Sequence, residues 1–94
     1  MIKSFKSRAL KLLWDNEDAC RLPAQQVTKI IMMLDVLDQL KTLPDDLQPY
    51  PHWRPHLLKG NLQGYWSLTV SGNYRIIFLF EDGHVHRVGY TDYH

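Results

Sequence analysis

The 94-residue sequence has a single cysteine, Cys20, and no apolar run of 18 residues. One cysteine excludes an internal disulfide, and with it the cross-linked scaffold of small secreted domains. No membrane-spanning helix is encoded, and the start MIKSFKSRALKLL lacks the clean apolar segment and small-residue cleavage site of a signal peptide. The expected compartment is the cytoplasm, with no membrane contact and with Cys20 inert and half-buried. Charge of one sign is scarce as well: eleven Lys and Arg face ten Asp and Glu, leaving +1. Bulk charge will not attract nucleic acid, so any such contact must come from local placement of cations.

What is present is apolar content of 45%, enough for one compact domain spanning residues 1–94 with a modest core. Five histidines, three tryptophans and five tyrosines stand out in so short a chain, and they crowd into the second half. Met1 to Phe5 allows a short strand. Ala9, Leu12 and Leu13 fall at helical spacing between Ser7 and Asp15, before Asn16-Glu17-Asp18 breaks the pattern. A second helix starts at Pro23 and carries the stripe Val27, Ile30, Ile31, Leu34 and Leu37 to about Lys41. Pro44, Pro49, Pro51 and Pro55 make Leu43 to Leu57 a surface loop, in which Trp53 is either an anchor or a partner contact.

The last thirty residues read as an antiparallel meander. Tyr65 to Val70 alternates, Ser71-Gly72-Asn73 turns, Tyr74 to Phe80 is branched and aromatic, and Asp82-Gly83 marks a hairpin leading into His84 to about Tyr90. Centring the turn on Asp82-Gly83 pairs Glu81 with His84 and sets Arg75 opposite Tyr90. One face then collects Trp66, Leu68, Val70, Tyr74, Ile76, Phe78, Phe80 and Val85 and needs cover from the helices. The other collects Tyr65, Ser67, Thr69, Arg75, Ile77, Leu79, His84, His86, Tyr90 and, with the strand extended, Asp92 and His94. The fold class is α+β: two N-terminal helices on one face of a small, mainly antiparallel sheet, the opposite face open.

Cleaving RNA by acid–base chemistry requires one group to take the 2′-OH proton, one to protonate the departing 5′-oxygen, and cations on the phosphate. Arg75, Asp92 and His94 supply residue types of that kind, although an Asp-Tyr-His ending on its own also reads as a polar tail. His56 and Lys59 follow the proline-rich loop and read either as ordinary surface charge or as a second imidazole and cation folded back over the open face. His84, His86 and His94 suggest a metal site, but no cysteine pair or HExxH spacing completes a ligand set, and no metal or cofactor is expected. Trp14 and the helical stripe belong to the core, while Met32 and Met33 are gap-fillers or edge residues.

His56-Leu57-Leu58-Lys59-Gly60, then Gly64-Tyr65-Trp66-Ser67, then Asn73-Tyr74-Arg75-Ile76 with Phe78 and Phe80, and finally Asp92-Tyr93-His94 resemble, in order, the four blocks of the HigB toxins, a branch of the RelE-like superfamily. The opening Met1-Ile2-Lys3-Ser4-Phe5 is similar too. Leu57 stands where the family usually has proline, and Asn61 where it has an acid. The resemblance implies a bacterial toxin encoded with a helix-turn-helix antitoxin of the HigA type, which alone would connect it to operator DNA. It implies an endoribonuclease that cuts mRNA in the A site of the 70S ribosome without a metal ion. By position, His56, Asp92, Tyr93 and His94 match the family's acid–base group, and Lys59 and Arg75 its phosphate-holding cations. Two other readings compete with it: a non-catalytic module that only binds its antitoxin and helps repress the operon, and a metal-dependent hydrolase using the strand histidines.

Overall fold

A computed structural model describes residues 1–92. Ser7 begins α1 (Arg8–Asn16) by accepting a hydrogen bond from the Leu10 N–H on its side-chain oxygen, at 3.3 Å. Helix α2 (Val27–Gln39) follows a single 3₁₀ turn, Ala24–Gln26, just after Pro23. Its buried stripe is Ile30, Met33, Leu34 and Leu37. That i, i+3, i+4, i+7 spacing turns Ile31 outward, 43% exposed, and makes Met33 the gap-filler of the core. The stripe expected from the sequence is corrected at those two positions.

Four antiparallel strands form one sheet in the order β1 (His56–Leu57), β2 (Trp66–Ser71), β3 (Tyr74–Glu81) and β4 (His84–Asp92). Both helices cover one face, where Leu10, Leu34 and Leu37 meet Leu68, Val70, Ile76, Phe78, Val85 and Val88. The N-terminal segment is not a continuous strand. It runs parallel to β4 through two isolated bridges, Ile2 to Val85 and Phe5 to Val88.

The loop between α2 and β2 is tied down along its length. It makes 3₁₀ turns at Asp45–Leu47 and Pro51–Trp53 and a two-residue edge strand, β1. Trp53 is fully buried and stacks on Tyr50 at 4.2 Å, so it anchors the loop. Cys20 is exposed rather than half-buried; its hydrogen bond to Asp18 pushes the thiol up from its ordinary value, which disfavours a reactive thiolate.

The hairpin turn falls where expected, with Glu81 opposite His84. Beyond it the register slips by one: Leu79 pairs with His86 but Ile77 with Gly89, leaving a bulge at Arg87, whose φ is 53°. Arg75 therefore lies opposite Thr91, not Tyr90. A one-residue slip exchanges faces, so Tyr90 turns to the helix side, where it stacks on Tyr74 and donates to the Gln26 side-chain oxygen. Asp92 pairs with Tyr74 in the same ladder instead of joining Arg75's row.

Candidate functional site

Paired residues in a ladder share a face, and successive rows on that face lie two residues apart. On the face turned away from the helices one row runs His56, Ser67, Ile77, Gly89, and the next runs Thr69, Arg75, Thr91. Two strand spacings and one row separate His56 from Arg75, about 12 Å between backbones. The edge strand β1 thus brings His56 onto Arg75's face, which the hairpin register alone did not place there.

The ring of His56 is oriented by the chain itself. Its Nδ1 lies 2.8 Å from the Arg54 carbonyl oxygen. A carbonyl only accepts, so Nδ1 carries the proton in the neutral ring and Nε2 keeps its lone pair, the arrangement a general base needs. Ser67, directly opposite, is buried, and its hydroxyl has no hydrogen-bond partner among the described residues. Arg75 donates from Nη1 to the carbonyls of Gly72 at 2.7 Å and Tyr74 at 3.2 Å, which pins the guanidinium beside the β2–β3 turn. Lys59 is exposed just past β1. Asp92 ends β4 and is exposed; Tyr93 and His94 lie outside the described residues.

Three residues that the sequence argument did not assign to chemistry join this face. Arg87 donates from Nε to the Tyr65 hydroxyl at 2.8 Å, and the Lys6 ammonium sits 5.5 Å from the centre of the Tyr65 ring. Both cations are exposed. Beside Lys6 a groove of about 420 Å³ has Ile77, Gly89 and Leu62 as its apolar lining and reaches Thr91, the partner of Arg75. No short-range signal announced the two cations, because Arg87 reaches this position through a bulge and Lys6 through a parallel bridge from the chain start.

Farther along the same edge His84 and His86 alternate with Val85, and Lys3 lies beside them. Burial lowers the His84 imidazole from its ordinary value, with further lowering from Lys3, the amino terminus, His86 and Lys41. Its Nδ1 is buried and has no hydrogen-bond partner among the described residues. Among the described residues no group of three or more His, Cys, Asp or Glu is arranged to hold a metal ion.

Most of the acids lie in the helical layer, which also carries Arg8, Lys11, Arg21, Lys29 and Lys41. Of the acids, Asp15, Glu17, Asp18, Asp35, Asp38, Asp45 and Asp46 belong to the helices and their connecting segments. Lys6, Arg75 and Arg87 stand with His56 on the sheet face, where Glu81, beside the last hairpin turn, is the acid among the described residues. A chain of net charge +1 thereby presents a locally cationic surface, the kind of placement a polyanion requires.

The chain matches, over residues 3–94, the family described as the RelE-like toxin of the type II toxin–antitoxin system HigB. It is 41% identical over the whole of both chains to the Endoribonuclease HigB of Proteus vulgaris. It is 32% identical to Toxin HigB-1 of Vibrio cholerae serotype O1, covering 88% of this chain and 87% of that one. In fold it is similar to the YoeB–YefM toxin–antitoxin complex of Staphylococcus aureus, with a TM-score of 0.60 and 22% identity over 100% of this chain and 98% of that one.

Proposed function

Because this chain belongs to the HigB family of RelE-like toxins from type II toxin–antitoxin systems, we propose that it is an endoribonuclease that enters the ribosomal A site and cuts mRNA there. The observation that carries this reading is the row geometry. An imidazole with its Nε2 lone pair available shares the helix-free sheet face with Arg75, Lys6 and Arg87.

The reaction is transfer of the ribose 2′-oxygen to phosphorus. One imidazole takes the 2′-OH proton as the P–O2′ bond forms; the P–O5′ bond breaks, and the other imidazole gives the leaving oxygen a proton. His56 and His94 divide these two tasks; Asp92 and Tyr93 complete the acid–base group by their place in the closing motif, Asp92 from the end of β4 in the row of Tyr74 and not from Arg75's face. Arg75 and Lys59 hold the charge that develops on the phosphate oxygens. The products are a 2′,3′-cyclic phosphate and a 5′-hydroxyl, and no metal ion takes part.

Function in the cell follows from this activity. Inducing the gene without its partner stops growth, and co-expressing a helix-turn-helix antitoxin restores it. Normal growth at verified levels of folded protein counts against the toxin reading. Cleavage abolished by a zinc-selective chelator favours the hydrolase reading, and tight antitoxin binding with intact mRNA favours a binding-only module.

A further inference from the structure

On the side away from the sheet face, α2 exposes two large apolar residues in succession, Ile31 at 43% and Met32 at 46%. A cleft lies along each side of this ridge. One, of about 610 Å³, is walled by Met32, Val36, Leu40 and Tyr50 with Asp35, Asp45 and Asp46 around it. The other, of about 280 Å³, is walled by Trp14, Val27 and Ile31 with Glu17 and Asp35 around it. Every charged residue lining either cleft is acidic. Asp46 already accepts from the Lys41 and Thr42 N–H groups, so among the described residues Glu17, Asp35 and Asp45 are the cleft carboxylates left to meet a partner, and Asp35 and Asp45 flank the larger cleft.

An apolar ridge between two clefts, ringed by charge of one sign, suits an amphipathic helix of the opposite sign. A polyanion is excluded by the acids, and a purely apolar partner leaves them unpaired. We propose that this surface docks the antitoxin through an amphipathic helix bearing Lys or Arg beside its apolar stripe; the inference rests on the toxin reading above. Its apolar residues enter the clefts beside Ile31 and Met32, and its cations meet Asp35 and Asp45.

The test measures the affinity of purified antitoxin for the wild type and for two surface variants, Met32→Asp and the double change Asp35→Lys with Asp45→Lys. Met32→Asp is expected to weaken binding about 30-fold, the size of an interface hot spot. The double reversal is expected to weaken it at least about ten-fold at low salt and to remove the salt dependence of the association rate. Both variants keep mRNA cleavage and the wild-type circular dichroism spectrum. If both bind antitoxin within about two-fold of a wild type that itself binds, the docking site is elsewhere and the toxin reading survives. A wild type that does not bind antitoxin overturns the site and that partner together. Self-association of the wild type that is lost in Met32→Asp, with antitoxin affinity unchanged, assigns the ridge to a second copy of this chain and also overturns the proposal.

Discussion

Replacing Arg75 by alanine affects stability and chemistry by very different amounts, and the structure sets both. The substitution removes the two hydrogen bonds from Nη1 to the Gly72 and Tyr74 carbonyls. Those acceptors lie at a turn where water can replace the guanidinium, so the loss is about 1 kcal/mol, or about 4–8 °C in Tm for a domain of this size. A domain with about 5–15 kcal/mol of stability stays overwhelmingly folded after such a loss. Losing one donor to the developing phosphate charge should cost about 10²–10³ in rate. The predicted variant is therefore folded, slightly less stable and nearly inactive. Single-turnover cleavage of a defined mRNA on programmed ribosomes, beside a thermal melt of the same preparation, measures both quantities. Wild-type cleavage by a folded Arg75→Ala protein would refute the assignment of Arg75 to the phosphate.

Tyr90, pushed up to about 12 by burial and then by Tyr74 and Asp92, holds its proton more tightly when folded than when unfolded. Its stability contribution is thus complete below pH 10 and lost as pH rises from about 10 to 12; stability measured across that window should fall less in Tyr90→Phe than in the wild type. Trp53→Ala should lower stability by about 3–5 kcal/mol, because it empties a fully buried site under the loop, and denaturant unfolding checks this. Trp53→Phe should cost much less, since the Nε1–H it removes has no partner among the described residues. His94→Ala should abolish growth arrest and mRNA cleavage while antitoxin binding and the far-UV spectrum stay near wild type; cleavage within a few-fold of wild type removes His94 from the mechanism.

Local rules made much of this fold legible. Ser7 capping α1, Pro23 ahead of α2 and Asp82-Gly83 at the last turn each act within a few residues, and the fold follows them there. The register failed where the cause was not local. Arg87 takes a left-handed backbone conformation without the glycine or asparagine that usually marks one, while its N–H donates to the Ser4 hydroxyl 83 residues away. That contact with the chain start accompanies the bulge, which moves Tyr90 to the helix face and puts Thr91 beside Arg75. Strand β1 was hidden for a similar reason: two residues carry no periodicity, and pairing with Ser67 and Trp66 makes them a strand. Among the site residues, His56 and Arg75 could be named from their types and motif blocks, but their shared face depends on β1. Lys6, Tyr65 and Arg87 meet only once the sheet has formed.

Internal attack of the 2′-oxygen is read most directly from the ends of the cut RNA. Mass spectrometry of fragments from ribosomes carrying a defined message in the A site gives the position and the chemistry of the cut together. Internal attack predicts a cut within the A-site codon leaving a 2′,3′-cyclic phosphate, or the phosphate from its later opening, and a 5′-hydroxyl. A 3′-hydroxyl with a 5′-phosphate would contradict it, because those ends require water rather than the neighbouring 2′-oxygen to attack phosphorus.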